Sequence, residues 1–298
     1  MTAIVVSHNS RAHLRRCIDT FAPQVEETIV VDASSTDGSA EIVTGGDPDV
    51  VLVRLPENPG YGAAVNAGAA RATGDLLLVL NADTWAAEGA VAELVGALAA
   101  DPRAGAAGPR LVNVDGSLQQ SVRGFPTPWR LVTEYFFLRW LAPRSKALNA
   151  FYAAGFDHRT PRVAEFVVGA AMLLRRDAFE QVDGFDPAFF MYDEEVDLCY
   201  RLAAAGWSTI FVPSAEVGHV GGASTAPVAE AMYLEQLRSH LRFVDKHEGR
   251  AAAERVRRML VWAMRLRALV FRGGRRRVSR AAARWAASAD VSTLLYKR

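Results

Sequence analysis

Cysteine is nearly absent: the chain has two in 298 residues, Cys17 and Cys199, far apart and without metal-ligand spacing. That excludes a disulfide framework, favours a reducing compartment, and makes both thiols candidate core residues. Long hydrophobic runs are missing as well. The best candidate, Met259–Phe271, is interrupted by Arg265 and Arg267, so no membrane span is expected. The apolar Ala3–Val6 run follows the first residues with neither basic flank nor cleavage-site pattern, so no secretory signal is expected and the location reads as cytoplasmic. Glycine-rich phosphate loops are also lacking. The first apolar run leads into Ser7-His8-Asn9-Ser10 rather than Gly-x-Gly-x-x-Gly, and no Gly-Lys-Ser/Thr occurs. Any phosphate must then be held by another device, of which a divalent cation is the usual one.

Net charge is close to zero, formally +1, which on its face argues against a polyanionic partner. The sum hides a split. Seventeen basic and four acidic residues fall between Arg238 and Arg298, so that segment carries +13 and residues 1–237 carry −12. An acidic body is joined to a basic tail.

What is present is alternation. Apolar runs at Ala3–Val6, Thr28–Val31, Val50–Leu55 and Leu76–Leu80 are separated by helical patterns, with Ser10 and Asp37 as candidate N-caps. This predicts an α/β fold with a mostly parallel sheet and ligand chemistry at the strand ends. Between Gly108 and Arg162 prolines and aromatics predict loops with one amphipathic helix near Leu131–Leu141. A strand is then expected over Glu165–Arg175 and a helix over Asp177–Gln181. They are followed by a helix from Glu194 to Ala205 ended by Gly206, and a strand over Thr209–Val212. After Pro227 the chain reads as basic helices, giving residues 1–226 as a catalytic domain and 227–298 as an amphipathic extension.

Three acidic positions carry candidate chemistry. Asp83, in Asn81-Ala82-Asp83-Thr84, emerges at the end of an apolar strand and suits a hard cation completed by phosphate and water; it also suits a helix N-cap before Ala86–Ala99. Asp193, Glu194, Glu195 and Asp197 crowd four carboxylates between apolar neighbours. A general base fits there, and so does a helix start stabilised by its dipole. Asp32 ends the second apolar run before Ser34-Ser35-Thr36-Asp37-Gly38, a turn that either binds a ligand or is only a turn.

In their order these motifs resemble the family 2 inverting glycosyltransferases of GT-A fold. The likeness runs from Val5-Val6-Ser7-His8-Asn9-Ser10 through Asp32, Asn58-Pro59-Gly60-Tyr61-Gly62 with Asn66, and Asn81-Ala82-Asp83. It continues with Gly169-Ala170, Gly184-Phe185-Asp186, Met191-Tyr192-Asp193-Glu194-Glu195-Val196-Asp197 and His219. The chain looks most like actinobacterial rhamnosyltransferases that extend polyprenyl-diphosphate-linked N-acetylglucosamine. The resemblance implies a Rossmann-like, mostly parallel GT-A sheet with flanking helices. It also implies a nucleotide-sugar donor contacted by Ser7, His8, Asn9, Asp32, Ser34, Asn58, Gly60, Asn66 and Asn81, and Mg²⁺ or Mn²⁺ on Asp83 with His219 as a further ligand. Glu195 falls where the family's catalytic Asp usually lies, one methylene longer, with Glu194 or Asp193 as the alternative base. Asn81 replaces the first Asp of the metal motif.

The basic tail interleaves arginines with Trp262, Leu266, Leu269 and Phe271, as a helix lying on an anionic membrane would. A solvated helical bundle or dimerisation surface whose arginines meet the acidic body is the other reading. No recognition motif accompanies the charge, so no nucleic-acid partner is expected. Two further functions compete: a nucleotidyltransferase, disfavoured by the missing basic glycine-rich loop, and a non-catalytic nucleotide-binding scaffold docked by its tail.

Overall fold

The computed structural model describes residues 1–45, 49–145, 147–153, 155–221 and 228–296. The strands are β1 (Thr2–Ser7), β2 (Glu27–Ala33), β3 (Val50–Leu55), β4 (Leu76–Asn81), β5 (Thr84–Ala86), β6 (Ala104–Val112), β7 (Leu118–Gln119), β8 (Val122–Arg123), β9 (Arg162–Ala164), β10 (Phe166–Val167), β11 (Ala171–Arg175) and β12 (Ser208–His219). The helices are α1 (Arg11–Phe21), α2 (Ser39–Thr44), α3 (Tyr61–Ala69), α4 (Ala90–Ala100), α5 (Pro128–Tyr135), α6 (Leu138–Leu141), α7 (Arg176–Gln181), α8 (Glu194–Ala204), α9 (Ala229–Glu248), α10 (Arg250–Val270), α11 (Gly273–Ser288) and α12 (Val291–Tyr296).

Two compact units result. The first takes the described residues of Met1–Arg123, Asp157–Phe190 and Glu194–Ala226; the second takes those of Gly124–Phe156, Met191–Asp193 and Pro227–Arg298. The division is therefore no single cut in the chain, and the expected boundary at 226/227 lies outside the described residues.

The first unit holds the expected α/β sheet, mostly parallel with flanking helices, in the order β3-β2-β1-β4-β11-β6-β12-β5. Its core strands are apolar on both faces, as sheets covered by helices require: Ile4, Val5, Val30, Val31 and Leu77 to Leu80 are buried. Each such side chain contributes about 1.5–3 kcal/mol of burial. Strands β1, β2, β3 and β4 run parallel. β11 is then inserted antiparallel between β4 and β6, so the chain segment just before it arrives at the same edge as the end of β4. Cys17 and Cys199 are free and buried, as expected of core thiols, and burial pushes both up to about 12.

Three local expectations change. The helix after Asp83 begins only at Ala90, because Thr84–Ala86 pairs with Val217–His219 as a strand; Asp83 is no helix cap. The strand expected at Thr209–Val212 extends to His219 for the same reason. The single helix near Leu131–Leu141 is two, interrupted at Phe137, whose φ is 62°. Gly206, with φ 92°, follows α8 as expected.

Gly60 shows how tightly α3 is seated. Its φ is 94°, and a Cβ there would lie 2.2 Å from the Phe190 carbonyl oxygen, which accepts the Tyr61 amide at 3.1 Å. Gly60→Ala is expected to destabilise the first unit by about 2–4 kcal/mol, read as a lowered urea midpoint. An unchanged midpoint would contradict this packing.

The second unit buries Leu131, Tyr135, Leu237, Leu241, Val256, Leu260, Met264 and Ala282 in its own core. Arg267 donates to the carbonyls of Glu134 and Tyr135 and so caps α5. His240 and Asp193 meet at 2.5 Å, both buried, and the Ser239 hydroxyl donates to the Met191 carbonyl. Arginines of the tail pair within the unit: Arg238 with Glu235, Arg250 with Asp245, Arg257 with Glu254 and Arg277 with Glu230. No described helix is long and apolar enough to cross a membrane.

Candidate active site

Parallel register puts the expected polar residues on one edge. Ser7 pairs with Asp32 and Val6 with Asn81, so β1, β2 and β4 end together. Two loops are stitched above that edge. His8 Nδ1 lies 2.7 Å from the Ala33 carbonyl oxygen and therefore carries the proton. The Asn9 amide donates to Ser35 Oγ, and Asn9 Oδ1 accepts from the Thr36 amide. Asn9 and Ser34 take left-handed φ of 50° and 59°, which turns both loops sharply.

The helix caps expected from Ser10 and Asp37 are redistributed. The Ser10 hydroxyl donates to the His8 carbonyl instead. Asp37 accepts from the Arg11 amide at the start of α1 and from the Ser39 amide at the start of α2, so one carboxylate serves two helix ends. Burial raises the Asp37 carboxyl, but the bonds from Ser39 and Arg11 outweigh it and hold it below the usual carboxylate value.

Asp32 is 4% exposed. Its Oδ2 accepts the Ser35 amide, whereas Oδ1 and Ser7 Oγ are buried with no hydrogen-bond partner among the described residues. Orphaned buried oxygens of this kind suit a ligand bearing N–H or O–H donors. Asn58 accepts the Gly60 amide and shapes the turn before α3. Asn66 binds the Phe185 backbone: its amide nitrogen donates to the Phe185 carbonyl at 2.8 Å, and its oxygen accepts the Phe185 amide at 3.0 Å. These two bonds position the Phe185 segment, and they leave one N–H and one lone pair of the amide over.

At the end of β4, Asp83 Oδ1 lies 3.3 Å from His219 Nε2, and Asp83 Oδ2 accepts the Gly221 amide at 3.2 Å. Asn81 Nδ2 is 3.4 Å from the same His219 nitrogen. His219 Nδ1 sits 2.7 Å from Gln119 Oε1, which fixes the ring and leaves Nε2 facing the carboxylate. Burial raises the Asp83 carboxyl, yet the hydrogen bond and charge of His219 with the Gly221 amide hold it below its ordinary value. Among the described residues no group of three or more His, Cys, Asp or Glu side chains forms a metal cluster. Asp83 and His219 nonetheless offer one carboxylate oxygen and one imidazole nitrogen to a common space. Mg²⁺ and Mn²⁺ accept so small a protein share when diphosphate and water complete the shell. Gly222, at the end of the run Gly218-His219-Val220-Gly221-Gly222, lies outside the described residues.

Glu194 and Glu195 open α8. The Gly169 amide is 3.4 Å from Glu195 Oε1, the Gly169 carbonyl accepts the Tyr61 hydroxyl at 3.0 Å, and the neighbouring Ala170 carbonyl accepts the Asn81 amide at 2.9 Å. Two residues therefore tie the carboxylate end of α8 to the metal-type end of β4. Burial raises the Tyr61 phenol well above its ordinary value, and the charges of Glu194, Glu195 and Asp83 raise it further. Asp197 is fully buried against Arg201 at 2.7 Å. Sequence reasoning did not single out Tyr61 or Gln119. Tyr61 lay inside a quoted motif, whereas Gln119 sits in a two-residue strand without any local signal.

A family profile described as glycosyl transferase family 2 matches residues 2–183. An N-acetylglucosaminyl-diphospho-decaprenol L-rhamnosyltransferase of Mycobacterium tuberculosis is 32% identical over 264 residues, covering 84% of this chain and 85% of that protein. Among solved structures, a mannosyltransferase of Pyrobaculum calidifontis in complex with GDP-Man and Mn²⁺ is similar at TM-score 0.56 and 19% identity, over 96% of this chain and 80% of that one. Glucosyl-3-phosphoglycerate synthase of M. tuberculosis, with Mn²⁺ and UDP, is similar at TM-score 0.51 and 17% identity, over 81% and 78%. The structural likenesses concern the fold.

Proposed function

The chain belongs to glycosyl transferase family 2, and we propose that it moves rhamnose from dTDP-rhamnose to a polyprenyl-diphosphate-linked N-acetylglucosamine, with inversion, at the cytoplasmic leaflet. The observation that carries this reading is that Glu195 reaches the Gly169 amide while the adjoining Ala170 carbonyl accepts the Asn81 amide at the end of β4, two residues before Asp83. A rhamnosyltransferase relative over most of both chains supports the donor and acceptor classes.

Ser7, His8, Asn9, Ser34 and Asp32 would hold the nucleoside, with Asp32 Oδ1 accepting from the base. Asp83, with His219, would hold Mg²⁺ or Mn²⁺, which supplies positive charge to the departing diphosphate. Glu195 takes the proton from the acceptor hydroxyl as its oxygen bonds to the anomeric carbon and the bond to the diphosphate breaks on the opposite face. Glu195 suits that role better than Glu194 because it is only partly buried, whereas Glu194 is buried.

Incubating the protein with labelled dTDP-rhamnose, Mn²⁺ and the lipid-linked acceptor is expected to give a longer lipid-linked glycan. No transfer from any of a panel of nucleotide sugars would refute the reading. Asp32→Ala is expected to weaken dTDP binding by about 1–3 kcal/mol, measured by calorimetry, because a charged partner of the base is lost. An unchanged affinity would remove Asp32 from the nucleotide site.

A further inference from the structure

The second unit has an uncovered face that the transfer chemistry does not use. On α10, Trp262, Leu266, Leu269 and Val270 are 64%, 38%, 79% and 60% exposed. They recur along one stripe of the helix, where a soluble surface would carry polar residues. Beside the stripe lie two adjoining grooves, of about 400 and 270 Å³. The larger is formed by Arg265, Ala268 and Leu269 of α10 with Arg280, Ala283 and Arg284 of α11; the smaller continues along Arg276, Arg280 and Arg284.

Arg276, Arg280 and Arg284 repeat every four residues and so share one face of α11. Among the described residues none of the three has a carboxylate within 4.0 Å, unlike Arg238, Arg250, Arg257 and Arg277 of the same unit. Guanidinium groups left together without counter-charge call for an anionic occupant, and phosphate suits their forked geometry.

We propose that this face of α10 and α11 docks on an anionic phospholipid bilayer, with Arg276, Arg280 and Arg284 taking headgroup phosphates and Trp262, Leu266 and Leu269 entering the acyl boundary. The adjacency of an apolar stripe to an arginine groove distinguishes a bilayer from a soluble polyanion, which needs no apolar partner, and from an apolar protein surface, which needs no phosphate-type site. The inference deepens the proposed function, resting on a lipid-linked acceptor for its purpose. Vesicle binding requires no transfer, so the two readings fail separately.

The test is flotation of the full chain with vesicles of phosphatidylcholine, alone or mixed with phosphatidylglycerol. Binding is expected only to the mixed vesicles, and it should fall as salt shortens the screening length. The wild-type salt titration needs no variant and guards against misfolding. Arg276→Gln/Arg280→Gln/Arg284→Gln should weaken binding by about five-fold per arginine, on the order of a hundredfold in all. Trp262→Ser/Leu269→Ser should also weaken binding while its salt dependence persists. Turnover with a water-soluble acceptor should stay at the wild-type rate in both variants. Equal binding to phosphatidylcholine alone, wild-type binding by the triple variant, or displacement by low inorganic pyrophosphate would overturn the proposal. So would concentration-dependent dimerisation lost in Trp262→Ser/Leu269→Ser without vesicle binding, which would assign the face to a second copy. Vesicle binding without transfer from any donor would leave docking standing and remove the transferase reading.

Discussion

Glu195→Gln is expected to lower kcat by about 10²–10⁴-fold with donor affinity near the wild-type value. The substitution keeps the side chain's length and the oxygen that faces the Gly169 amide, so it removes a proton acceptor without opening a gap. Single-turnover rates with saturating donor separate this from a binding defect. Glu194→Gln is the necessary companion, because the two side chains are adjacent in sequence and both raise the Tyr61 phenol. A larger loss from Glu194→Gln would move the base back by one residue. Wild-type rates from both would exclude the start of α8 from the chemistry.

Asp83→Asn is expected to lower kcat/KM by about 10³-fold, equivalent to ~4 kcal/mol at the transition state, and to flatten the response to added Mn²⁺. Asn preserves the shape that accepts the Gly221 amide and meets His219, so the ends of β4 and β12 should remain joined. Loss of charge is then the main change. The measurement is initial rate against Mn²⁺ concentration for both proteins, with Tm as a check on folding. An unaltered metal response in a folded Asp83→Asn protein would place the cation, if any, on other groups.

Much of this site was legible because its residues follow apolar runs. Asp32 and Asp83 follow apolar runs whose burial makes them strands, so their exit at a common edge needed only parallel pairing. Glu194 and Glu195 were legible as the acidic start of a helix. What sequence could not show depends on partners far away. Thr84–Ala86 looks like a helix entry until Val217–His219 pairs with it, and Asp37 looks like the cap of one helix until the first loop brings a second. Asn66, in a motif the resemblance ties to the nucleotide, also holds the Phe185 backbone, a contact that only the tertiary structure shows. Gln119 carries no apolar periodicity, so only the His219 ring identifies it. The break at Phe137 is likewise invisible, because an aromatic at left-handed φ contradicts its own local preference.

The contact of Asn81 with His219 spans 138 positions of chain. Strand β4 can pair with β1 soon after both leave the ribosome, but the His219 side of the metal-type pair must await β12. At a synthesis rate of about 5–20 residues per second, that wait is on the order of ten seconds. For that interval the chain already contains both Ser7 and Asp32, which pair across β1 and β2, whereas Asp83 lacks its imidazole. Synthesis thus supplies the residues of the β1–β2 end of the edge before those of the Asp83–His219 pair, and the order of birth separates the two parts of the edge in time.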